Sequence, residues 1–131
     1  MDLQRVLKRL ENADSPSRSL DAAIAEVIGW KKRVEETTDP KTGEKRVRTL
    51  WLVPAGDDVG RVPHYTSNLQ DAFDLAHAIR PSQTGGCSWV DGRGTAIIGE
   101  GEYVPAPSPA LALCIAALRI LQSEQPRAAS G

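Results

Sequence analysis

The feature that most constrains the fold is a stretch of nine residues, 110–118, in which no side chain is more polar than the thiol of Cys114. Ser108 and Pro109 precede it as a predicted N-cap and first helical residue, so a helix is expected over residues 109–122. A helix that is apolar on every side must be covered on every side. The sequence therefore predicts either the central helix of the core or, alternatively, a helix through which a homo-oligomer forms.

Three further helices are predicted upstream of this apolar segment. Apolar residues at helical spacing mark residues 2–12, residues 20–28 and a third helix that begins near Ser67 and ends before Pro81. The predicted buried stripe of the third helix consists of Leu69, Ala72, Phe73, Ala76 and Ile79.

Two β-hairpins separate these helices. Residues 31–36 and 44–53 are predicted to pair across a turn at 39–43, giving a hairpin with a solvated tip and a base that is apolar on both faces. Residues 87–90 and 95–98 pair around Asp91 and Gly92, which favour a tight turn. Trp51 and Trp89 lie on these strands and are predicted to be in the core.

The resulting order, ααββαββα, predicts an α+β fold. We expect a small, mostly antiparallel four-stranded sheet with helices on both faces, an α-β-α sandwich, because a strand buried on both sides needs a layer above and below it. Residues 1–124 are expected to form a single domain, and residues 125–131 a flexible C-terminal tail.

Charge and cysteine content narrow the functional classes. Sixteen Lys and Arg against seventeen Asp and Glu leave a formal net charge of -1, which gives no general attraction to nucleic acid or to an anionic membrane. Cys87 and Cys114 are far apart and indicate reduced thiols in the cytoplasm. Neither a signal peptide nor a closely spaced Cys/His cluster is recognisable, so no metal, cofactor or membrane association is expected.

The candidates for catalysis are few. Cys87 could act as a nucleophile with His64 or His77 as its base, but nothing in the spacing supplies the third group that holds such a base. Asp57 and Asp58 form a carboxylate pair in a glycine-flanked loop, where solvated charges are common. We therefore expect a protein that is not an enzyme, with a hydrolase built on Cys87 or the Asp pair as the exception.

Hydrogen-bonding side chains cluster at the start of the third helix, where free backbone N–H groups attract anions. An aromatic residue at an element boundary and an arginine between two glycines complete a predicted site for a small anionic, nucleotide-like ligand. The predicted ligand-binding residues are Trp30, His64, Tyr65, Thr66, Asn68 and Arg93.

The first hairpin offers an alternative binding surface. It carries seven positive and four negative charges between residues 31 and 48. A basic β-ribbon can bind nucleic acid, and Lys45, Arg46 and Arg48 would be its contacts. Lysines that protect an exposed strand edge explain the same residues, and this second interpretation is favoured.

Four pieces of the chain, taken in order, resemble a known family. They are residues 20–25 with Gly29 and Trp30, then Pro63, Tyr65, Thr66, Leu69 and Ala72, then Trp89, and finally residues 108–118. In this order the chain resembles the phage α-β-α sandwich domain proteins over residues 20–119. The hairpin tip, residues 34–45, departs from the resemblance as an enlarged connection.

The resemblance implies a helix–sheet–helix sandwich and a phage or prophage origin, and it supplies no catalytic residue or substrate. We therefore expect a non-enzymatic accessory protein that acts in the host cytoplasm by binding or sequestering a nucleotide-like ligand or a host protein. Nucleic-acid binding through the first hairpin is the alternative.

Overall fold

A computed structural model of the protein describes residues 2–82 and 84–124, and the predicted tail at 125–131 lies outside them. The helices in this part are α1 (Leu3–Glu11), α2 (Arg18–Val27), α3 (Leu69–Ile79) and α4 (Pro109–Glu124). Sheet A contains, in order, β1 (Lys31–Thr38), β2 (Lys45–Leu52) and β3 (Val59–Gly60). Sheet B contains β4 (Gly85–Val90), β5 (Arg93–Ile98) and β6 (Val104–Ala106). Neighbouring strands are antiparallel throughout.

Helix α4 is the centre of the core. It contacts α1, α3 and the three strands of sheet B, and every residue from 110 to 118 is buried. The side chain of Ser108 accepts a hydrogen bond from the Leu111 amide at 3.2 Å, so it caps the helix as predicted. The chain's own elements thus cover the apolar surface, as the first of the two alternatives requires. The exposed part of α4 begins near Arg119, which pairs with Glu11 of α1.

The α+β class is confirmed, but the prediction of a single four-stranded sheet was wrong. Each predicted hairpin acquires a third strand of its own, β3 with two residues and β6 with three. Strands this short cannot show the alternation of apolar and polar residues by which a strand is recognised. Pro105 within β6 further conceals it, because proline is atypical of strands.

Sheet B is covered by helix on one face, so the expectation of helices on both faces was also wrong for this sheet. Gly94, Ala96 and Ile98 of β5 are buried towards α4, while the residues between them are less buried. Ser88 and Val90 of β4 lie on the opposite face and are exposed. Half-buried sheets of this kind are common among antiparallel folds.

The hairpin of β1 and β2, residues 31–52, is called the arm below. Its strands contact chiefly each other and β3, and most of their side chains are exposed. Burial begins at the base, where Leu50 and Trp51 are half-buried and Leu52 is buried. The solvated tip is as predicted, whereas the base is enclosed less than a strand buried on both faces would be.

The buried face of helix α3 is shifted from the predicted one: Ala72, Ala76 and Ile79 pack against the core as predicted, whereas Leu69 and Phe73 do not. Ala72 and Leu75 are buried against α4, and Phe73 is 53% exposed. Successive helical residues are separated by 100°, so a helix that packs through Ala72 turns Phe73 away from the core. Trp89 of β4 is likewise 66% exposed, so the prediction that both aromatic rings belong to the core was wrong.

Candidate functional site

Thr66, one of the predicted ligand-binding residues, belongs to a buried polar network. Its amide and hydroxyl donate to one oxygen of Asp21 at 2.8 and 2.7 Å, and its hydroxyl accepts from the Ser17 amide at 3.1 Å. The other Asp21 oxygen accepts from Arg18 at 2.9 Å. Arg18 also donates to the carbonyl of Val62 at 2.9 Å. The Thr66 side chain therefore fastens the start of α2 to the segment before α3.

Tyr65 and Trp30 lie where the arm joins the body. Tyr65 is buried, and burial raises the pKa of its hydroxyl to about 12, an effect that the Trp30 side chain partly offsets. Trp30 is half-buried and its ring lies against Gly60, where an added Cβ would be 3.2 Å from it. The Tyr65 carbonyl accepts a hydrogen bond from the Cys114 thiol at 3.1 Å, and burial raises the pKa of that thiol. Both groups are thus held in the neutral form.

The remaining residues at this helix start stabilise the local turn. The Asn68 side chain caps α3 by accepting from the Asp71 amide at 2.9 Å, and the Asp71 carboxylate accepts from the His64 amide at 2.8 Å. The His64 side chain is exposed. The α3 amide of Asp71, which an anionic ligand could otherwise use, is therefore already bonded to the Asn68 side chain.

Arg93 lies elsewhere, at the exposed start of β5. It lines a cavity of about 280 Å³ together with Glu11, Asn12 and Pro105. The structure therefore brings Trp30, Tyr65 and Thr66 into one region and places Arg93 in another. Ligand binding by these residues stays a prediction.

A different concave surface opens between α3 and β4, and it is called the α3–β4 groove below. Its helical wall consists of Leu69, Phe73, Ala76 and His77, with Arg80 at one end. Gly85, Gly86 and Cys87 form the opposite wall, and Ile98 and Leu113 lie at its base. The groove encloses about 220 Å³.

The charges of the α3–β4 groove are one-sided. Among the described residues that line it there is no carboxylate, and His77 and Arg80 are its basic side chains. The Phe73 and His77 rings stack with centroids 5.9 Å apart and planes inclined by 16°. Arg80 pairs with Glu124 at the end of α4, a half-exposed pair of the kind that contributes little to stability.

Trp89 extends this apolar surface beyond the groove. Strand side chains alternate between faces, so Trp89 is on the same face of β4 as Cys87. Phe73, 53% exposed, lines the groove, and the 66% exposed Trp89 lies two residues further along β4 from Cys87. Exposed aromatic rings around a concave apolar surface are typical of protein-binding sites.

The groove also brings together two residues that were considered for catalysis. Cys87 and His77 both line it, while Cys114 is buried in α4. Within residues 2–82 and 84–124, however, no hydrogen bond joins Cys87 to His77 and no carboxylate in the lining would orient the imidazole. A thiol activated by a base needs both contacts. Asp57 and Asp58 are exposed in the loop before β3, with Asp57 4.0 Å from Lys31.

The α3–β4 groove was not predicted, although two signals for it are present in the sequence. The first is β4 itself, a run of six residues without charge or proline that begins with two glycines. The second is the spacing of Leu69, Phe73 and His77, which places them on one face of α3. Leu69, Phe73 and Trp89 were predicted to be in the core because apolar residues on regular elements usually are.

The strand register separates the charges of the arm into two unequal faces. Within β1 and β2 one face carries Lys31, Arg33, Arg46, Arg48 and Glu35. The opposite face carries Lys32, Lys45 and Glu36, and Lys45 lies 3.7 Å from the Glu36 carboxylate. The predicted contacts Lys45, Arg46 and Arg48 are all exposed, but Lys45 faces away from the other two.

Within the described ranges, no helix is both long and apolar enough to cross a membrane. The sequence matches no protein-family model, no curated protein and no solved structure. The resemblance to the phage α-β-α sandwich domain proteins accordingly stays a prediction that rests on the residues quoted for it.

Proposed function

We propose that this protein is a non-enzymatic accessory protein that binds a segment of a partner protein in the α3–β4 groove. The observation that carries the proposal is the exposed Phe73 in the lining of a groove that has no carboxylate among the described residues, with the exposed Trp89 further along the same face of β4 as Cys87. The proposal keeps the expected class, a phage-encoded protein that acts in the host cytoplasm by occupying a host factor.

The size of the groove favours part of a macromolecule over a complete small ligand. Pockets that enclose a drug-sized ligand measure roughly 300–1,000 Å³. At about 220 Å³ the α3–β4 groove is smaller and fits one or two side chains. A side chain anchored there, with aromatic contacts around it, is the usual arrangement of a protein interface.

The test begins with a library of random twelve-residue peptides displayed on a carrier and selected against the purified protein. A selected peptide is then synthesised and titrated calorimetrically into wild type, Phe73→Asp and Val47→Asp. Both positions are exposed apolar residues, at 53% and 71%, but Val47 is on the arm. We expect Phe73→Asp to weaken binding at least about 30-fold, as loss of an interface anchor does, and Val47→Asp to bind normally.

Failure to select any peptide, or equal affinity of Phe73→Asp and Val47→Asp, would overturn the proposal. Thermal unfolding of both variants controls for folding. Both should retain the wild-type midpoint within a few degrees, because substitutions at exposed positions seldom change stability by more than about 0.5 kcal/mol.

Nucleic-acid binding through the arm is a second candidate, and the segregation of its charges favours it. Three arginines on one face of a β-ribbon suit phosphate better than the same charges spread over two faces. The pair Arg46→Ala/Arg48→Ala should abolish retention of a 30-base-pair DNA duplex in a gel shift. The control Lys32→Ala/Lys45→Ala removes equal charge from the opposite face and should retain most of it. Equal loss in both pairs would contradict a role for that face.

A further inference from the structure

We infer that the partner segment binds as an extended strand added to the outer edge of β4. This inference rests on the proposed function and specifies how the α3–β4 groove is occupied. Among the described residues, the order β4, β5, β6 of sheet B leaves β4 paired on one side, and the α3–β4 groove runs along its other side. An edge strand beside an apolar groove offers main-chain hydrogen bonds and side-chain pockets to the same ligand.

The hydrogen-bond phase of β4 identifies the backbone groups that face outward. The Gly99 amide donates to the Thr84 carbonyl at 2.6 Å, so Thr84 and Gly99 lie opposite each other at a hydrogen-bonded position. In an antiparallel pair such residues alternate with others whose N–H and C=O groups point away from the partner strand. The pairs that do not exchange hydrogen bonds are Gly85 with Ile98, Cys87 with Ala96 and Trp89 with Gly94. Gly85, Cys87 and Trp89 therefore present their backbone N–H and C=O groups to the groove side.

The turn between β4 and β5 independently indicates the same alternation of hydrogen-bonded and non-bonded pairs. Asp91 and Gly92 have positive φ angles of 51° and 83°, which are typical of a two-residue turn flanked by a hydrogen-bonded pair. That pair is Val90 and Arg93. Counting back in steps of two leads to Thr84 and Gly99.

The edge of β4 also lacks the features that normally prevent pairing. Exposed edges are usually protected by charged residues, proline or a bulge. β4 contains neither charge nor proline, and two of its side chains, Trp89 and Val90, are large, apolar and mostly exposed. β1, the edge of sheet A, carries three cations and two carboxylates in eight residues.

Charge complementarity indicates the chemistry of the occupant. His77 and Arg80 line the groove, and no carboxylate does so among the described residues. An extended segment with an apolar side chain over the base and a carboxylate near these two groups would complement both features. That carboxylate would compete with Glu124 for Arg80, at small cost because the pair is half-exposed. A second copy of this chain would contribute an uncharged β4 and no carboxylate for Arg80 and His77, so a partner segment is the better fit.

The first experiment uses unmodified protein and the library-selected peptide. Amide hydrogen exchange, followed by NMR, is compared with and without the peptide. Strand addition should slow exchange at Cys87 and Trp89 at least about tenfold, while Gly86 and Ser88, already bonded to β5, should change little. Protection of all four amides alike, or of none, would overturn the inference.

A matched pair of variants provides a second, independent measurement. Cys87→Pro removes an outward N–H without removing a bond to β5, and Cys87→Ala removes the same thiol but keeps that N–H. We expect Cys87→Pro to bind the selected peptide at least about tenfold more weakly than Cys87→Ala. Equal affinities would contradict strand addition.

The outcomes distinguish the two proposals. A peptide that is lost in Phe73→Asp, yet leaves the Cys87 and Trp89 amides unprotected, would disprove the added strand while the proposed function stands. Absence of any selected peptide would disprove both. A dimer in sedimentation equilibrium that the peptide dissociates would identify a second copy as the occupant and overturn the choice of a partner segment.

Discussion

The protein contains two antiparallel hairpins that differ in almost every respect except their local pairing. The arm is long, charged on both faces and in contact chiefly with itself and β3. The hairpin of β4 and β5 is short, and β5 buries every second residue against α4. Hydrogen bonding between the paired strands is similar in both hairpins, so it does not explain why one packs against the core and the other is exposed. What separates them is whether one face offers apolar surface to the core.

The outer edges of the two hairpins also differ, and here the hairpin that packs against the core has the less protected edge. The arm is remote from the core, and its charged edge disfavours pairing with another strand. The β4 edge belongs to the folded body and is uncharged. A strand held in place by the core can keep an edge that is able to pair with another strand without losing its own conformation. A free hairpin with such an edge would be prone to aggregation.

The strongest test of this comparison replaces a glycine in each hairpin with alanine. A Cβ at Gly94 of β5 would overlap the backbone of Pro109, whereas a Cβ at Gly43 in the arm would meet no atom within 4 Å. Gly94→Ala should lower the free energy of unfolding by about 3 kcal/mol or more. Gly43→Ala should cost only about 1 kcal/mol, from its positive φ of 71°. Urea denaturation of both variants measures the difference, and similar losses would contradict the comparison.

The second test uses one tryptophan from each hairpin. Trp51 of β2 packs against the core from the base of the arm, while Trp89 of β4 is 66% exposed. Trp51→Ala should lower the unfolding free energy by about 2–3 kcal/mol, somewhat below the cost at a fully buried site. Trp89→Ala should cost less than about 1 kcal/mol. If Trp89→Ala proved the more destabilising, the assignment of Trp89 to a binding surface would fail.

Alkaline pH should destabilise the protein at the junction between the arm and the body, where Tyr65 is buried. Burial raises the pKa of Tyr65 to about 12 from an ordinary value of 10.0, so the folded state favours the neutral phenol. The corresponding stability is present below pH 10 and is lost as the pH rises towards 12. Wild type should lose on the order of 2 kcal/mol more than Tyr65→Phe across this range. Parallel curves for the two proteins in pH-dependent urea denaturation would refute the effect.

The smallest effect is expected from shortening the arm. The Asp39 amide donates to the Glu44 carbonyl at 2.8 Å, so by steps of two Glu35 and Arg48 also form a hydrogen-bonded pair. Residues 36–47 can therefore be replaced by Asn-Gly, which suits a two-residue turn. Because these residues contact little beyond the arm, the unfolding free energy should change by less than about 1 kcal/mol. A larger loss would show that the tip supports the core.

The sequence was sufficient to locate the core and insufficient to locate the groove, for a physical reason that α4 and Phe73 illustrate. A helix apolar on all sides has few possible environments, so the burial of residues 110–118 could be predicted without knowledge of its neighbours. Phe73 lies beside Ala72, and which of these faces the core depends on how closely α3 approaches α4. That distance is a property of the assembled fold.

The binding residues predicted at the start of α3 show a second limit of prediction from sequence, in which the residue type is recognised but its partner is not. Clustered polar side chains at residues 64–68 suggested a ligand, yet Thr66 and Asn68 satisfy backbone groups of the protein itself. Their hydrogen-bonding chemistry was identified correctly, but the partners of Thr66, Ser17 and Asp21, lie 45 or more residues away in the sequence. The two short strands β3 and β6 were missed because they, too, are defined by pairing rather than by pattern.

The hydrogen bonds between Asp21 and Thr66 have a consequence for how this chain can change over evolutionary time. They close a loop that begins in α2, contains the whole of sheet A and returns before α3. Once both ends of a loop are fixed, doubling its length costs only about 0.6 kcal/mol of closure entropy. Changes of length at the exposed tip of the arm are therefore nearly free, and other sequences can be grafted there without disturbing the core.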